Sequence, residues 1–366
     1  MIGIAYQIRH GSSLPHRQSR GITIVSVWVM LISLSIFCSP TFAVERGDLS
    51  ISPAALALAD QPAEASEPLS GRIEGEKKEE AKEPALPLTI AVSYYLQSDY
   101  VYRGVNFSEY PGEGREKPNH QLSTSISWDF KEYGTLGFDT FYEWYAAQAK
   151  LNPFGGQQNC QEVDYVIWWK HAIEPITSDF TLGYSFYTFP NSAAQLRRDK
   201  AVGNNNNDRT MEWWFKLAHN DAWMWTWLLP DNKDGVLNPT FFLAQDVGVS
   251  SGAVWIEVGF SHTFKVPCIE NLTITPGYTL AFDGGYTKRV LQQPHAGQMR
   301  MGYEQLSLNV TYDLTPVLKL PKWAGTVSLS GLLYFNDAFN ACEDDDTMKD
   351  VLFGGMSVNW GWGGSD

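Results

Sequence analysis

Gln121–Phe130 reads QLSTSISWDF. Along an extended chain, Leu122, Ile126, Trp128 and Phe130 fall on one side, and Gln121, Ser123, Ser125, Ser127 and Asp129 on the other. Strand side chains alternate with a period of two, so one face is greasy and the other wet. Gln305–Leu314 (QLSLNVTYDL) repeats the pattern. From Leu88 to Trp362 the chain returns to such segments, each closed by a turn. Their length matches the roughly 9–11 residues that a tilted strand needs to cross a bilayer. The apolar face is heavily aromatic, and the whole chain carries 14 Trp. The pattern predicts an all-β fold, a closed antiparallel up-and-down transmembrane β-barrel of twelve strands. A soluble two-sheet sandwich is the competing arrangement.

The N-terminus points to the same compartment. Arg9, Arg17 and Arg20 precede an uncharged stretch, 21–37, and Ser39-Pro40-Thr41-Phe42-Ala43 offers a small-residue cleavage point. Residues 1–43 therefore read as a secretory signal peptide. Residues 44–87 form a separate zone, Ala-rich and then acidic (EGEKKEEAKE at 74–83), with Pro84 and Pro87 at its end. They read as a disordered periplasmic leader. The barrel occupies 88–362. Net charge is −14, and loss of the three signal arginines makes it −17. This excludes a simple nucleic-acid binder, which needs a basic face.

The alternation places strands at 88–105, 121–130, 134–146, 162–173, 179–188, 209–220, 237–249, 252–266, 272–284, 302–314, 324–338 and 350–362. Connections expected on the outer side are mostly long, those on the periplasmic side mostly short, as in bacterial barrels. The Trp-rich connection 221–237 breaks the rule, and is expected to extend a strand or tuck into the barrel mouth. Charges facing lipid are costly, so the polar face points inward. It presents Asp99, Arg103, Asp139, Glu143, Asp164, Lys170, Glu212, Lys216 and Glu257, with Trp214 and Trp255 among its aromatics. Two readings stand: a polarised constriction that selects small hydrophilic solutes, or a self-neutralising ladder in a filled lumen. Inward Trp168, Trp214 and Trp255 favour blockage, whereas Thr273, Thr275, Gly277, Thr279, Thr326, Ser328 and Ser330 favour opening.

Outside the signal, Cys160, Cys268 and Cys342 remain, and outer-side placement permits a Cys160–Cys342 bridge. No His/Cys cluster or cofactor motif is present in the sequence, so no catalytic metal or cofactor is expected. Glu343, Asp344, Asp345 and Asp346 form an acidic outer tip with oxygen ligands for divalent ions, through which lipopolysaccharide phosphates would be bridged. His171, His219, His262 and His295 are candidates for rim lipid hydrolysis, which needs Ser, His and an orienting group together. Their spacing is not diagnostic, and a non-enzyme is expected.

Ser98-Asp99-Tyr100-Val101-Tyr102-Arg103-Gly104-Val105 resembles the S-D-Y-x-[FY]-R-G-[IV] signature of a porin-like family of Gram-negative outer-membrane barrels, usually without a known substrate. The resemblance implies residence in the outer membrane, with lipid and lipopolysaccharide around the wall. Many such barrels end on an aromatic residue; here Gly363-Gly364-Ser365-Asp366 follow Trp362. If strand one runs through the motif, Asp99 and Arg103 lie about 13 Å apart. They then pair only if the chain bends, and otherwise need partners on other strands, such as Asp139 or Glu257.

Overall fold

The computed structural model describes residues 86–106, 118–145, 161–188, 209–230, 233–248, 251–286, 299–339 and 348–364. The signal, the leader up to residue 85, Cys160, Cys342, His295 and the acidic tip Glu343–Asp346 lie outside the described residues, while Leu86 and Pro87, expected in the leader, open the first strand.

Twelve long strands build the wall: β1 (Leu86–Gln97), β2 (Asn119–Asp129), β3 (Thr135–Tyr145), β4 (Gln161–Ile173), β5 (Ser178–Thr188) and β6 (Arg209–His219). They continue as β7 (Thr240–Asp246), β8 (Val254–Ser261), β9 (Leu272–Gly284), β10 (Met299–Asp313), β11 (Thr326–Ala338) and β12 (Val351–Gly364). Each pairs antiparallel with its sequence neighbours. The ring closes where β1 meets β12, with Val92 opposite Trp360 and Tyr94 opposite Val358. No sheet edge is left, which is what hydrocarbon demands of a spanning sheet.

The alternation sorts the faces as the sequence predicts. Ile126, Trp128, Leu136, Phe138, Tyr165, Ile167, Leu182 and Val358 stand exposed on the outside, while Gln121, Ser123, Asp139, Glu143, Ser185, Glu212 and Asn336 are buried inside. This inversion of an ordinary soluble protein is stable only when lipid covers the outer face. Aromatic clusters ring both ends. Towards the outer end, the Trp144 ring stacks on His120 at 5.5 Å, and Tyr94 Oη sits 2.6 Å from His120 Nδ1. At the periplasmic end, indole N–H groups of Trp169, Trp360 and Trp362 donate to backbone carbonyls of Tyr133, Ala324 and Trp323 at 2.8–2.9 Å. These bonds fasten the short turns to the wall.

Several boundaries differ from expectation. The first strand does not run to 105 but ends at Gln97, and the chain then turns inward. The strand expected at 237–249 is only Thr240–Asp246. The one expected at 252–266 stops at Ser261, with a two-residue bridge at Phe264–Lys265 beyond it. β10 begins three residues early, and a register shift near Leu280 brings Arg300 opposite the inward Asp283. The 221–237 connection neither extends a strand nor enters the barrel mouth. It holds a one-turn helix, α1 (Ala222–Trp225), and an exposed apolar run. No described helix is long and apolar enough to cross a membrane.

Candidate functional site

After Gln97 the chain folds into the barrel as an inner hairpin: Val101 pairs with Asn106 and Tyr102 with Val105. Its two-residue turn is Arg103-Gly104, with φ of 50° and 77°. Two successive positive φ values match the twist of paired strands, and Gly relieves the second. A Cβ on Gly104 would also lie 2.6 Å from the Tyr303 ring. Asn106 Nδ2 donates to Asp99 Oδ1 at 2.9 Å and closes the base. Asp99 and Arg103, expected on the wall, thus belong to an element that leaves it.

The hairpin reaches across the lumen. β1 lies beside β2 and β12, yet Arg103 meets β6, five strands round the ring. Its Nη2 donates to both oxygens of Glu212 at 2.9 Å, and both side chains are fully buried. The partner is therefore Glu212, rather than Asp139 or Glu257. Tyr187 Oη donates to Glu212 Oε1 at 2.5 Å, so the carboxylate is held from two sides. The guanidinium lies 4.1 Å from the Tyr286 ring centroid, 4.8 Å from Tyr102 and 5.4 Å from Trp255. Its Nε and Nη1 meet no hydrogen-bond acceptor. Ring faces attract the cation where oxygen acceptors do not reach.

On the other side Tyr100 Oη donates to Glu162 Oε2 at 2.6 Å. Gln121, Glu143 and Glu162 face one another across β2, β3 and β4. Asn119 Nδ2 donates to Glu143, and Gln121 Nε2 to Asn119 Oδ1 at 2.7 Å. Gln121 Oε1, Glu143 Oε2 and Asp164 Oδ1 are buried without a hydrogen-bond donor. Near β8, Trp255 Nε1 donates to Glu257 Oε1 at 2.6 Å, and Arg300 reaches Asp283 at 3.1 Å. The outer half of the lumen is thus packed by the hairpin and by Phe141, Tyr187, Trp255, Tyr286 and Tyr303.

Lower down, Trp168 and Trp214 lie against glycines. Gly137 is paired with Trp168 and Gly183 with Trp214, and an added Cβ would fall 2.1 Å from each ring. The missing side chains let the indoles lie along the wall, where Trp168 Nε1 donates to Asp139 at 2.7 Å and Trp214 Nε1 to Ser185 at 2.9 Å. Lys216 is buried on the same face of β6, and Lys170 forms a half-exposed pair with Asp179 at 3.0 Å. The opposite wall is hydroxyl-rich: Thr311 Oγ1 lies 2.8 Å from Ser330 Oγ, and Asn359 Nδ2 reaches Ser328, Ser330 and Ser357 at 3.2–3.3 Å.

Every predicted lumen residue therefore faces inward, but Asp99 and Arg103 do so from the hairpin. The sequence reading did not single out Glu162, Asp246, Asp283, Arg300, Tyr286 or Tyr303. Glu162 shares the parity of Asp164, so the alternation already held that signal. Tyr303 likewise shares the parity of Gln305, whereas Arg300 was hidden by the register shift and Tyr286 by its place beyond the end of β9.

The described histidines make structural contacts. His219 Nδ1 lies 2.9 Å from Ser178 Oγ, but that hydroxyl donates to Ile176 O at 2.9 Å, and Trp223 Nε1 donates to His219 Nε2 at 3.2 Å. The imidazole thus gives its own proton to Ser178, the reverse of a base activating a nucleophile. His262 lies just past β8, off the lipid-facing strand expected for it, 3.1 Å from Gly235 O and edge-on to Phe264. Burial lowers its pKa from the ordinary value. His171 stacks on Trp169 at 5.4 Å. Among the described residues no His, Cys, Asp and Glu group is arranged to hold a metal ion, and Cys268 is a free, exposed thiol.

A closed ring with a greasy belt, aromatic girdles and a polar, charged interior defines a transmembrane β-barrel of the outer-membrane type. No family model matches the chain, and no curated protein sequence does. Among solved structures it is similar to an outer membrane channel from Pseudomonas putida F1, with TM-score 0.40 and 8% identity over 79% of this chain and all of that one. It is also similar to LpxR from Salmonella typhimurium, with TM-score 0.39 and 12% identity over 74% of this chain and 99% of that one. A third is the KdgM porin, with TM-score 0.36 and 10% identity over 74% and 98%.

Proposed function

We propose that the barrel is a narrow passage for small hydrophilic solutes, preferring neutral or cationic ones, with the inner hairpin as its constriction. The observation that carries this reading is the inner face itself. Asp139, Glu143, Glu162, Asp164, Glu212, Asp246, Glu257 and Asp283 point inward against Arg103, Lys170, Lys216 and Arg300. The acids are in excess, and rings of acidic side chains favour cations in a pore. The hydroxyl-rich wall of β9 to β12 offers solutes hydrogen bonds in place of water. Fixed at Glu212 and Glu162, the hairpin leaves any open path beside it narrow.

One observation favours a second reading, a structural barrel with a filled lumen: the hairpin tip is as well buried as a protein core. Planar-bilayer recording of the refolded chain separates the two. Small steps in the wild type, which grow when residues 99–106 are replaced by a short Gly/Ser link, support the passage. Silence from both, with heat-modifiable folding intact, would leave only the filled barrel.

A further inference from the structure

We propose that the β6–β7 connection is a membrane anchor, with residues 222–229 lying among the phospholipid headgroups of the periplasmic leaflet. The inference rests on the outer-membrane placement of the barrel and is independent of whether solute passes through it.

Residues 222–230 (AWMWTWLLP) hold no charge, yet Trp223 is 62% and Trp227 78% exposed. A run of this kind is unfavourable in water and is not buried by the described residues. Its conformation is nonetheless fixed. Asp221, itself buried, accepts the backbone N–H groups of Val236 and Asn238 at 2.8 and 3.1 Å, and the Trp225 indole at 2.7 Å. Trp225 is thereby turned towards the protein, while most of the Trp223 and Trp227 surface stays open. Trp223 is also tied to the wall through the relay to His219, Ser178 and the Ile176 carbonyl. Rigid display of exposed indoles implies an occupant.

Phospholipid is the occupant that fits. The run begins three residues beyond β6, whose lipid-facing side carries Trp213 and Phe215, so it continues the membrane belt. It also lies at the barrel end where Tyr133 and Trp323 stand exposed on their own turns. Trp rings settle at the headgroup level because their apolar body and N–H tip match that layer. Trp227 makes no hydrogen bond among the described residues, which leaves its N–H for a lipid phosphate or carbonyl. The return limb carries Lys233 and Asp234 and stays on the aqueous side.

The test uses the full chain with its cysteines changed to serine, refolded in phosphatidylethanolamine/phosphatidylglycerol vesicles. An environment-sensitive fluorophore is attached to Trp227→Cys, Lys233→Cys or Ile167→Cys. The anchor predicts blue-shifted emission at 227, quenched about twofold or more by lipids spin-labelled near the headgroup, and water-like emission at 233. Water-like emission at 227, or blue-shifted emission that lipid labels do not quench, would overturn it and point to protein contact instead. Position 167 lies mid-wall on the lipid face and is read with lipids spin-labelled deep in the acyl chain. Loss of quenching there would indict the membrane placement, whereas quenching at 167 without quenching at 227 would reject the anchor alone.

Discussion

Arg103 shows how one side chain reorganises an interior. A guanidinium without exposure to water costs several kcal/mol to desolvate, and Glu212 with three aromatic rings offsets that only while all are in place. Arg103→Met or Glu212→Leu alone should lower stability by about 3–5 kcal/mol, because each strands the opposite charge. The double variant should recover much of that loss. Urea unfolding followed by the heat-modifiable gel shift reads all three, and a double-variant loss equal to the sum of the two single losses would refute a coupled pair. Gly104 is constrained separately, by φ of 77° and by the Tyr303 ring at its missing Cβ. Gly104→Ala should cost more than about 1 kcal/mol and release the hairpin tip. Limited proteolysis at the outer face would show the release as faster cleavage.

At the scale of elements, the wall was legible and the hairpin was not. Period-two alternation runs through the wall, broken at the register shift near Leu280, because each strand separates lipid from lumen and a slip of one residue would expose charge to hydrocarbon. Hence β2, β4 and β5 lie within a residue or two of where the alternation places them. Ser98–Val105 defeated the same rule. Asp99 and Arg103 keep the inward parity of β1, so a hairpin inside the barrel looks from the sequence like more wall. Gly104 was the one local sign of a turn, and its meaning depended on Glu212, 108 residues later. The β6–β7 connection hid its structure for a different reason: its fold rests on Asp221 gathering backbone N–H groups from Val236 to Asn238, which no side-chain pattern announces. Its tether is testable. Ser178→Ala removes the hydroxyl that accepts from His219, and should destabilise by about 1 kcal/mol. The same substitution should leave the hairpin's protease resistance unchanged, since Ser178 and Arg103 share no partner.

For the whole molecule, the decisive quantity is the sign of the interior field. The wall puts carboxylates of β3, β4, β5, β6, β7, β8 and β9 on its inner face, where Arg103, Lys170 and Arg300 pair with Glu212, Asp179 and Asp283. Glu257 is the most informative, because Trp255 and Tyr303 hold it in place by hydrogen bonds. A low-dielectric wall focuses such a field along the axis. Reversal potentials under a KCl gradient should therefore have the sign of cation preference, and Glu257→Gln should reduce their magnitude without abolishing conductance. Salt gives the independent check, because the screening length falls from about 10 Å at 0.1 M to about 3 Å at 1 M. Selectivity set by lumen charge should weaken over that range, whereas selectivity set by a tight steric fit beside the hairpin should persist. Anion preference at low salt would refute the charged-lumen account and shift attention to Lys170, Lys216 and Arg300.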